Sequence, residues 1–485
     1  MVKDKDVLKA SIMKGFGTLV VREFFLKVLS FIGQIFLARL LIPSDFGIYV
    51  IITFIIGFFS LFSDVGLPLA IIQKKEEPTK TELSEAFMLK VLLSLGLILL
   101  ILIFAPLTKL FYTTFNDSNI LMLRVLSLTL LLASFRDIPI SLLERKIKYN
   151  LISKLDILGV SIYYLVALTG AFLHFGVWSF IAGAMMKEIV ETAVLYAIVP
   201  FIPYVSVTFK NIKQLLKFGI YMQGNGLIYL LTSSIVPVIG GRIGGPYGAG
   251  ILDFSYSIVL VAVTVATNFS RVAFTGYSRI SAQRKLLTNS ISKSVSMLSI
   301  VIYFFPVTIF SFGSVLIPLI FSVRWIPALP SLYWYSAGTF FLPLLASLGQ
   351  ASLAIGKSKE VFWGSLLTGI SGWILALLFV HFFGIVSIAA TYFLTCFFFS
   401  LIFSYILKKD GFKLSIISVL MPKLIAVLFT FLFSFSLNFL LPQGLFPTIS
   451  KLALSLIAYL IFMFLFARKD TKELLSFILS WVNLK

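Results

Sequence analysis

Charge is what this chain has least of. Only 12% of its 485 residues are charged, 20 acidic against 40 basic, and it holds two histidines and one cysteine. Soluble globular chains keep roughly a quarter of their residues charged, so a water-exposed globule is excluded. One cysteine, Cys396, excludes an intramolecular disulfide, and no Cys/His cluster suggests a metal, so no metal and no cofactor is expected. Gly15-Phe16-Gly17 lacks the strand–helix setting of a phosphate-binding loop, so no built-in ATPase is expected. The opening Met1-Val2-Lys3-Asp4-Lys5-Asp6 runs into a long first span without a small-residue cleavage site, and no removable signal peptide is expected. What the chain has is apolar surface: 59% hydrophobic residues, 51 phenylalanines and a mean hydropathy of +1.04. At about 20 apolar residues per crossing, this length accommodates many membrane helices and no sizeable soluble domain.

Apolar runs mark about fourteen spans. They start near Gly15, Gly47, Glu85, Ile120, Leu151, Val177, Leu215, Gly250, Ile291, Leu329, Val361, Ile385, Ile416 and Ile449. Alternate loops collect the lysines and arginines: Lys74, Lys75 and Lys80; Arg145, Lys146 and Lys148; Lys210, Lys213 and Lys217; Arg279, Arg284 and Lys285; Lys357 and Lys359; Lys408, Lys409 and Lys413. The opposite loops offer Lys109, Arg242 and Arg324. Cytoplasmic loops carry the positive excess, so both termini are expected in the cytoplasm of a multi-pass protein of the inner, cytoplasmic membrane. The net charge of +20 then follows topology and anionic headgroups, and nucleic acid is not an expected partner.

The two histidines expose a repeat. His174 in Ala171-Phe172-Leu173-His174-Phe175-Gly176-Val177 matches His381 in Phe379-Val380-His381-Phe382-Phe383-Gly384-Ile385, at a fixed offset of roughly 210 residues. Ser44-Asp45-Phe46-Gly47-Ile48-Tyr49 parallels Gly245-Pro246-Tyr247-Gly248-Ala249-Gly250, and Ala105-Pro106-Leu107 parallels Ile317-Pro318-Leu319. The expected architecture is an all-α integral membrane protein of two parallel six-helix lobes, residues 1–208 and 209–410, plus two further helices and an amphipathic tail in 411–485. His174 and His381 fall in short turns at the membrane surface, and Trp178, Trp325, Trp334 and Trp363 read as an interfacial belt.

The segment Leu37-Ala38-Arg39-Leu40-Leu41-Ile42-Pro43-Ser44-Asp45-Phe46-Gly47-Ile48-Tyr49 resembles the opening signature of bacterial polysaccharide exporters of the MOP superfamily. Phe62-Ser63-Asp64-Val65-Gly66-Leu67-Pro68-Leu69-Ala70-Ile71-Ile72-Gln73-Lys74-Lys75 and Gly176-Val177-Trp178-Ser179-Phe180 are similar to the same family, the Wzx-type flippases of its colanic-acid and exopolysaccharide branch. The run Gly240-Gly241-Arg242-Ile243-Gly244-Gly245-Pro246 is richer in glycine than that family's pattern. The resemblance implies a MATE-like fold of fourteen helices. It also implies translocation of undecaprenyl-pyrophosphate-linked oligosaccharide for O-antigen, lipopolysaccharide or exopolysaccharide assembly, with polymerases and glycosyltransferases as neighbours. No catalytic residue is expected of it.

That cargo carries a pyrophosphate and many hydroxyls, which cannot cross hydrocarbon unaided. A carrier must hold cations inside its bundle, because a charge facing lipid is expensive. In the first span Glu23 and Lys27 are spaced to pair at i,i+4, which leaves Arg22 as the unbalanced cation; Lys27 remains a second candidate. In the other half Arg271 ends the eighth span after Asn268. The family resemblance points to cavity arginines in the first and eighth spans, so Arg22 and Arg271 lead the phosphate-binding candidates. Lys90 and Lys293 read as cytoplasmic helix ends. For coupling to H+ or Na+, Lys187 can pair with Glu191 and leave Glu188 a lone carboxylate; Glu23 and Asp64 are further candidates. Two other classes share the composition. A MATE-like exporter of drugs or metabolites has the same architecture with a different cavity. A membrane-embedded saccharide polymerase or ligase would need larger outer loops or a carboxylate motif at the membrane surface than Asn116-Asp117 provides.

Overall fold

The computed structural model describes residues 22–199 except 24, 201–204, 212–213, 224–442 and 444–482. The expected span starts near Gly15 and Leu215, the lobe boundary at 208, and Lys210 and Lys217 lie outside the described residues. Among the described residues the chain is helical with no strand, and it divides into two compact units, Met1–Gly250 and Ile251–Lys485.

The first unit holds helix α1 (residues 25–40, with 22 and 23 also helical), α2 (Pro43–Ser63), α3 (Leu67–Gln73), α4 (Lys80–Phe104), α5 (Thr108–Phe111), α6 (Asp117–Ser127), α7 (Thr129–Arg145), α8 (Tyr149–Phe172) and α9 (Trp178–Ile198). Local chemistry sets the boundaries. Thr79 opens α4 with a reciprocal cap: its hydroxyl accepts from the Glu82 amide (3.2 Å), while the Glu82 carboxylate accepts from the Thr79 amide (2.8 Å). This satisfies two of the donors that every helix start leaves over. The basic end of α7 is a clasp as well as a topological mark. Arg145 donates to the carbonyls of Ile71 (2.9 Å), Lys74 and Glu76 (2.7 Å), which closes the end of α3.

Beyond helix Gly224–Ser233, a π turn over Val236–Gly240 leads into the long helix Gly241–Ile280, broken at Gly245 (φ 60°, ψ −168°) ahead of Pro246. The glycine-rich stretch has a packing reason. A Cβ on Gly47 would lie 1.6 Å from the Pro246 carbonyl oxygen, and one on Gly250 would lie 1.9 Å from that of Pro43. The two segments that match in sequence thus touch backbone to backbone, at a separation only glycine permits.

The second unit continues through Arg284–Ile302, Phe304–Ile320, Leu329–Gly338, Leu342–Ala354, Ser358–Phe383, Val386–Lys409, Ile416–Leu440, Leu445–Phe466 and Arg468–Val482. Arg468–Val482 is the amphipathic tail. Leu474 packs on the unit's core, and Asp470 and Glu473 reach Lys423 and Lys293, the latter at 3.2 Å. His174 and His381 are exposed, each at the end of a helix and shortly before a glycine with positive φ (Gly176, 55°; Gly384, 61°). Trp325 departs from the interfacial belt. It is 0% exposed and stacks on Phe254 at 3.9 Å, because the turn Val323–Ala328 folds inward onto the long helix.

Eleven helices among the described residues are long and apolar enough to cross a membrane, against the fourteen expected. Three features account for the difference. The first span begins outside the described residues. Leu230–Ile280 counts as one stretch despite its break, and Trp178–Ile198 carries three charges, Lys187, Glu188 and Glu191.

Candidate functional site

Charges inside the first unit are gathered, not scattered. Arg136, midway along α7, donates to Glu191 of α9 and lies 2.9 Å from Glu188. Lys187 stands 3.8 Å from Glu188 and 4.0 Å from Glu191, so the i,i+4 pair forms, with a second carboxylate beside it. Arg22 of the first span reaches Asp156 of α8 at 2.8 Å. Three cations therefore meet three carboxylates across four helices. The network depends on one small residue: a Cβ on Gly159 of α8 would lie 1.6 Å from Glu191 Oε1.

A second group sits on the neighbouring helices. Lys90 is 1% exposed in the interior of α4, paired with Asp137 of α7 and 3.7 Å from Asp64 at the end of α2. Serine hydroxyls continue this seam: Ser94 donates to Ser63 at 3.2 Å and shares a 2.6 Å hydrogen bond with Ser134. Arg136 and Asp137 are adjacent, so α7 serves both groups. Buried ions must be paired in this way, since desolvation outweighs any single attraction.

These contacts revise several sequence readings. Glu188 is not a lone carboxylate, because Arg136 crosses from α7 to meet it. Arg22 is not unbalanced, because Asp156 supplies its counter-charge. No ion pair joins Glu23 to Lys27, and Lys27 is exposed. Lys90 is a buried ion-pair partner well inside its helix, not a helix end. Lys293 is the exposed one, held by Glu473. Asp64 joins Lys90 from a more exposed position. Arg136 and Asp137 are the residues that sequence reasoning passed over. The signal was available: two adjacent charges interrupt the apolar run Leu130-Leu131-Leu132-Ala133-Ser134-Phe135, and intramembrane charge is functional by default.

The second unit presents a different surface. Along helix Gly241–Ile280, Thr264, Thr267, Asn268, Arg271, Thr275 and Ser278 recur at helical spacing, and all but Thr264 are exposed. The hydroxyls of Thr264, Thr267, Thr275 and Ser278 donate back to carbonyls one turn earlier, at 2.7–3.0 Å. Asn268 and Arg271 have no hydrogen-bond or ion-pair partner among the described residues. A polar stripe with an unpaired guanidinium is too costly against lipid and suits a water-filled face.

Comparison with known proteins places the chain. A family described as polysaccharide biosynthesis protein matches residues 36–330. The chain belongs to that family. It is 21% identical over 321 residues to the teichuronic acid biosynthesis protein TuaB of Bacillus subtilis, covering 65% of this chain and 66% of that one. It is 21% identical over 345 residues to the succinoglycan biosynthesis transport protein ExoT of Rhizobium meliloti (71% and 69% covered). To the lipopolysaccharide biosynthesis protein WzxC of Escherichia coli it is 22% identical over 333 residues (67% and 65%). The matches thus span about two thirds of the length of these relatives. Among solved structures, lipid II flippase MurJ in an inward closed conformation superposes with a TM-score of 0.75 at 16% identity, over 93% of this chain and 98% of that one. An inward-facing multidrug resistance MATE transporter of the MOP superfamily gives 0.62 at 14% identity, over 79% and 94%. The fold is therefore the one these two solved structures share, and the protein is a multi-pass membrane protein.

Proposed function

We propose that this chain translocates undecaprenyl-pyrophosphate-linked oligosaccharide from the cytoplasmic to the outer leaflet by alternating access, for cell-surface polysaccharide assembly. The observation that carries the reading is the unpaired Arg271, with Asn268, on the polar face of a membrane helix. A guanidinium binds phosphate oxygens in bidentate fashion, and an arginine with no counter-charge among the described residues is available to do so. Membership of a polysaccharide biosynthesis family and the fold shared with a lipid II flippase support the same cargo class.

The first unit supplies the means of coupling to H+ or Na+. Glu188, Glu191 and Asp156 are balanced by Arg136, Lys187 and Arg22, so a proton or Na+ arriving at a carboxylate frees one cation. Arg22 then becomes available to the pyrophosphate once it leaves Asp156. Asp64 and Lys90 form a second exchangeable pair, while Glu23 and the exposed Lys27 follow Arg22 on the first span. The basic loops support a location in the cytoplasmic membrane with both termini inside.

The test is substitution of Arg271 by Gln and by Lys, scored for leaflet transfer in liposomes at equal protein incorporation. Gln is expected to abolish transfer and Lys to retain part of it; full transfer by the Gln variant overturns the site. The MATE likeness favours a second reading, export of small compounds. Efflux of cationic compounds without transfer of any lipid-linked saccharide would establish it.

A further inference from the structure

The hairpin of the last two long helices contains a buried polar seam that the transport reading does not use. Helix Ile416–Leu440 is followed by Leu445–Phe466, and the two pack along each other. Counting outward from the turn, Asn438 falls level with Thr448, Ser434 with Lys451, Thr430 with Ser455 and Lys423 with Met463. Thr430, Ser434, Thr448, Lys451, Ser455 and Lys423 are each at most 1% exposed, so the polar sides of both helices face inward together.

The two lysines of this seam are treated differently. Lys423 donates to the Val419 carbonyl at 2.7 Å and is paired with the Asp470 carboxylate. Lys451 Nζ is buried with no hydrogen-bond partner and no ion pair among the described residues. Apart from the chain terminus, every carboxylate of the second unit is among the described residues, so Lys451 has no acidic partner there. Around its level the hydroxyls of Ser434 and Ser455 are also unpartnered, as is that of Ser311 on helix Phe304–Ile320. Asn438 Nδ2 donates to the Ser311 carbonyl at 2.7 Å, which fixes that third helix against the seam. Thr430 and Thr448, by contrast, spend their hydroxyls on their own helices, each at 2.7 Å.

An ammonium enclosed at this depth must lose its proton or gain a counter-charge. We propose that Lys451, with the hydroxyls of Ser311, Ser434 and Ser455, binds one monovalent anion of halide size. One ammonium neutralises one such ion, and the serine hydroxyls supply the rest of its shell. A phosphate would bring a second negative charge that one ammonium does not neutralise. The ion holds three helices of the second unit together from within, as Asp470 does for Lys423 from the tail.

The experiment is thermal unfolding of the purified full chain in sodium chloride, sodium bromide and sodium gluconate at equal ionic strength and fixed pH. Halide raises Tm saturably, on the order of a few degrees, while gluconate does not. Lys451→Met removes the halide response. Lys423→Met, which disturbs the paired lysine, keeps it. Should Lys451→Met fail to fold, bromide located by its anomalous scattering in wild-type crystals decides the matter at the seam itself. A wild-type Tm indifferent to halide overturns the proposal. So does a halide response that survives in Lys451→Met.

Discussion

Replacing Arg136 by Met should destabilise the first unit by an amount the ion-pair geometry sets. Arg136 serves Glu188 at 2.9 Å and also Glu191, whose side chain is only 5% exposed. Removing it leaves three carboxylates, Asp156, Glu188 and Glu191, to Arg22 and Lys187. Breaking a buried pair from one side costs about 3–5 kcal/mol, because the remaining charge stays desolvated. Lys187 at 3.8 and 4.0 Å, and the partial exposure of Arg136, place this case at the lower end, about 3 kcal/mol. Over a unit of this size that is a fall in Tm of about 6–12 °C. The companion variant is Arg136→Met with Glu191→Gln, which restores two cations against two carboxylates and should recover most of the loss. Both are measured by thermal unfolding of purified protein. An unchanged Tm in the single variant, or no recovery in the double, refutes the network as a set of compensated charges.

Other expectations follow from single contacts. Gly159→Ala places a Cβ on Glu191, so it should lower Tm by several degrees and impair transport together, whereas Gly57→Ala, with open space around it, should do neither. Lys90→Met strands Asp137 beside Asp64, and adding Asp137→Asn should restore stability; absence of rescue would detach Lys90 from that pair. In the loop before Ser358–Phe383, hydrogen bonding to Asp410 holds the Lys357 ammonium above its ordinary value. A raised value in the fold means the contact contributes fully at neutral pH and is lost as pH rises through the folded pKa. Asp410→Asn should bring the Lys357 titration, followed by NMR, back toward 10.5.

The sequence conveyed the architecture well and the pairing poorly, for physical reasons. Spans are written in composition, so Ile416, Asp117 and Trp178 begin helices at or within a few residues of the expected starts. The histidine turns repeat because each half closes a long helix with a turn through positive φ, taken by His174 (61°) and Gly176 (55°) in the first and by Gly384 (61°) in the second. Pairing between distant helices has no local signature. Nothing near Glu188 announces Arg136, and only the fold brings α7 against α9. Lys187 with Glu191 was legible because one helix sets that spacing. Lys90 looked like a helix end because it follows a charged segment; the cap at Thr79 starts α4 eleven residues earlier and carries Lys90 inside. Trp325 misled in the same way, since proximity to a span end does not say whether a turn folds inward.

The central claim is that the chain moves a lipid-linked saccharide. The direct measurement places undecaprenyl-pyrophosphate oligosaccharide in one leaflet of liposomes carrying the purified protein and follows its appearance in the other, with and without a pH or Na+ gradient. Transfer that a gradient accelerates and that Arg271→Gln abolishes is expected. No transfer of any lipid-linked saccharide, alongside efflux of small cationic compounds from the same liposomes, would contradict it.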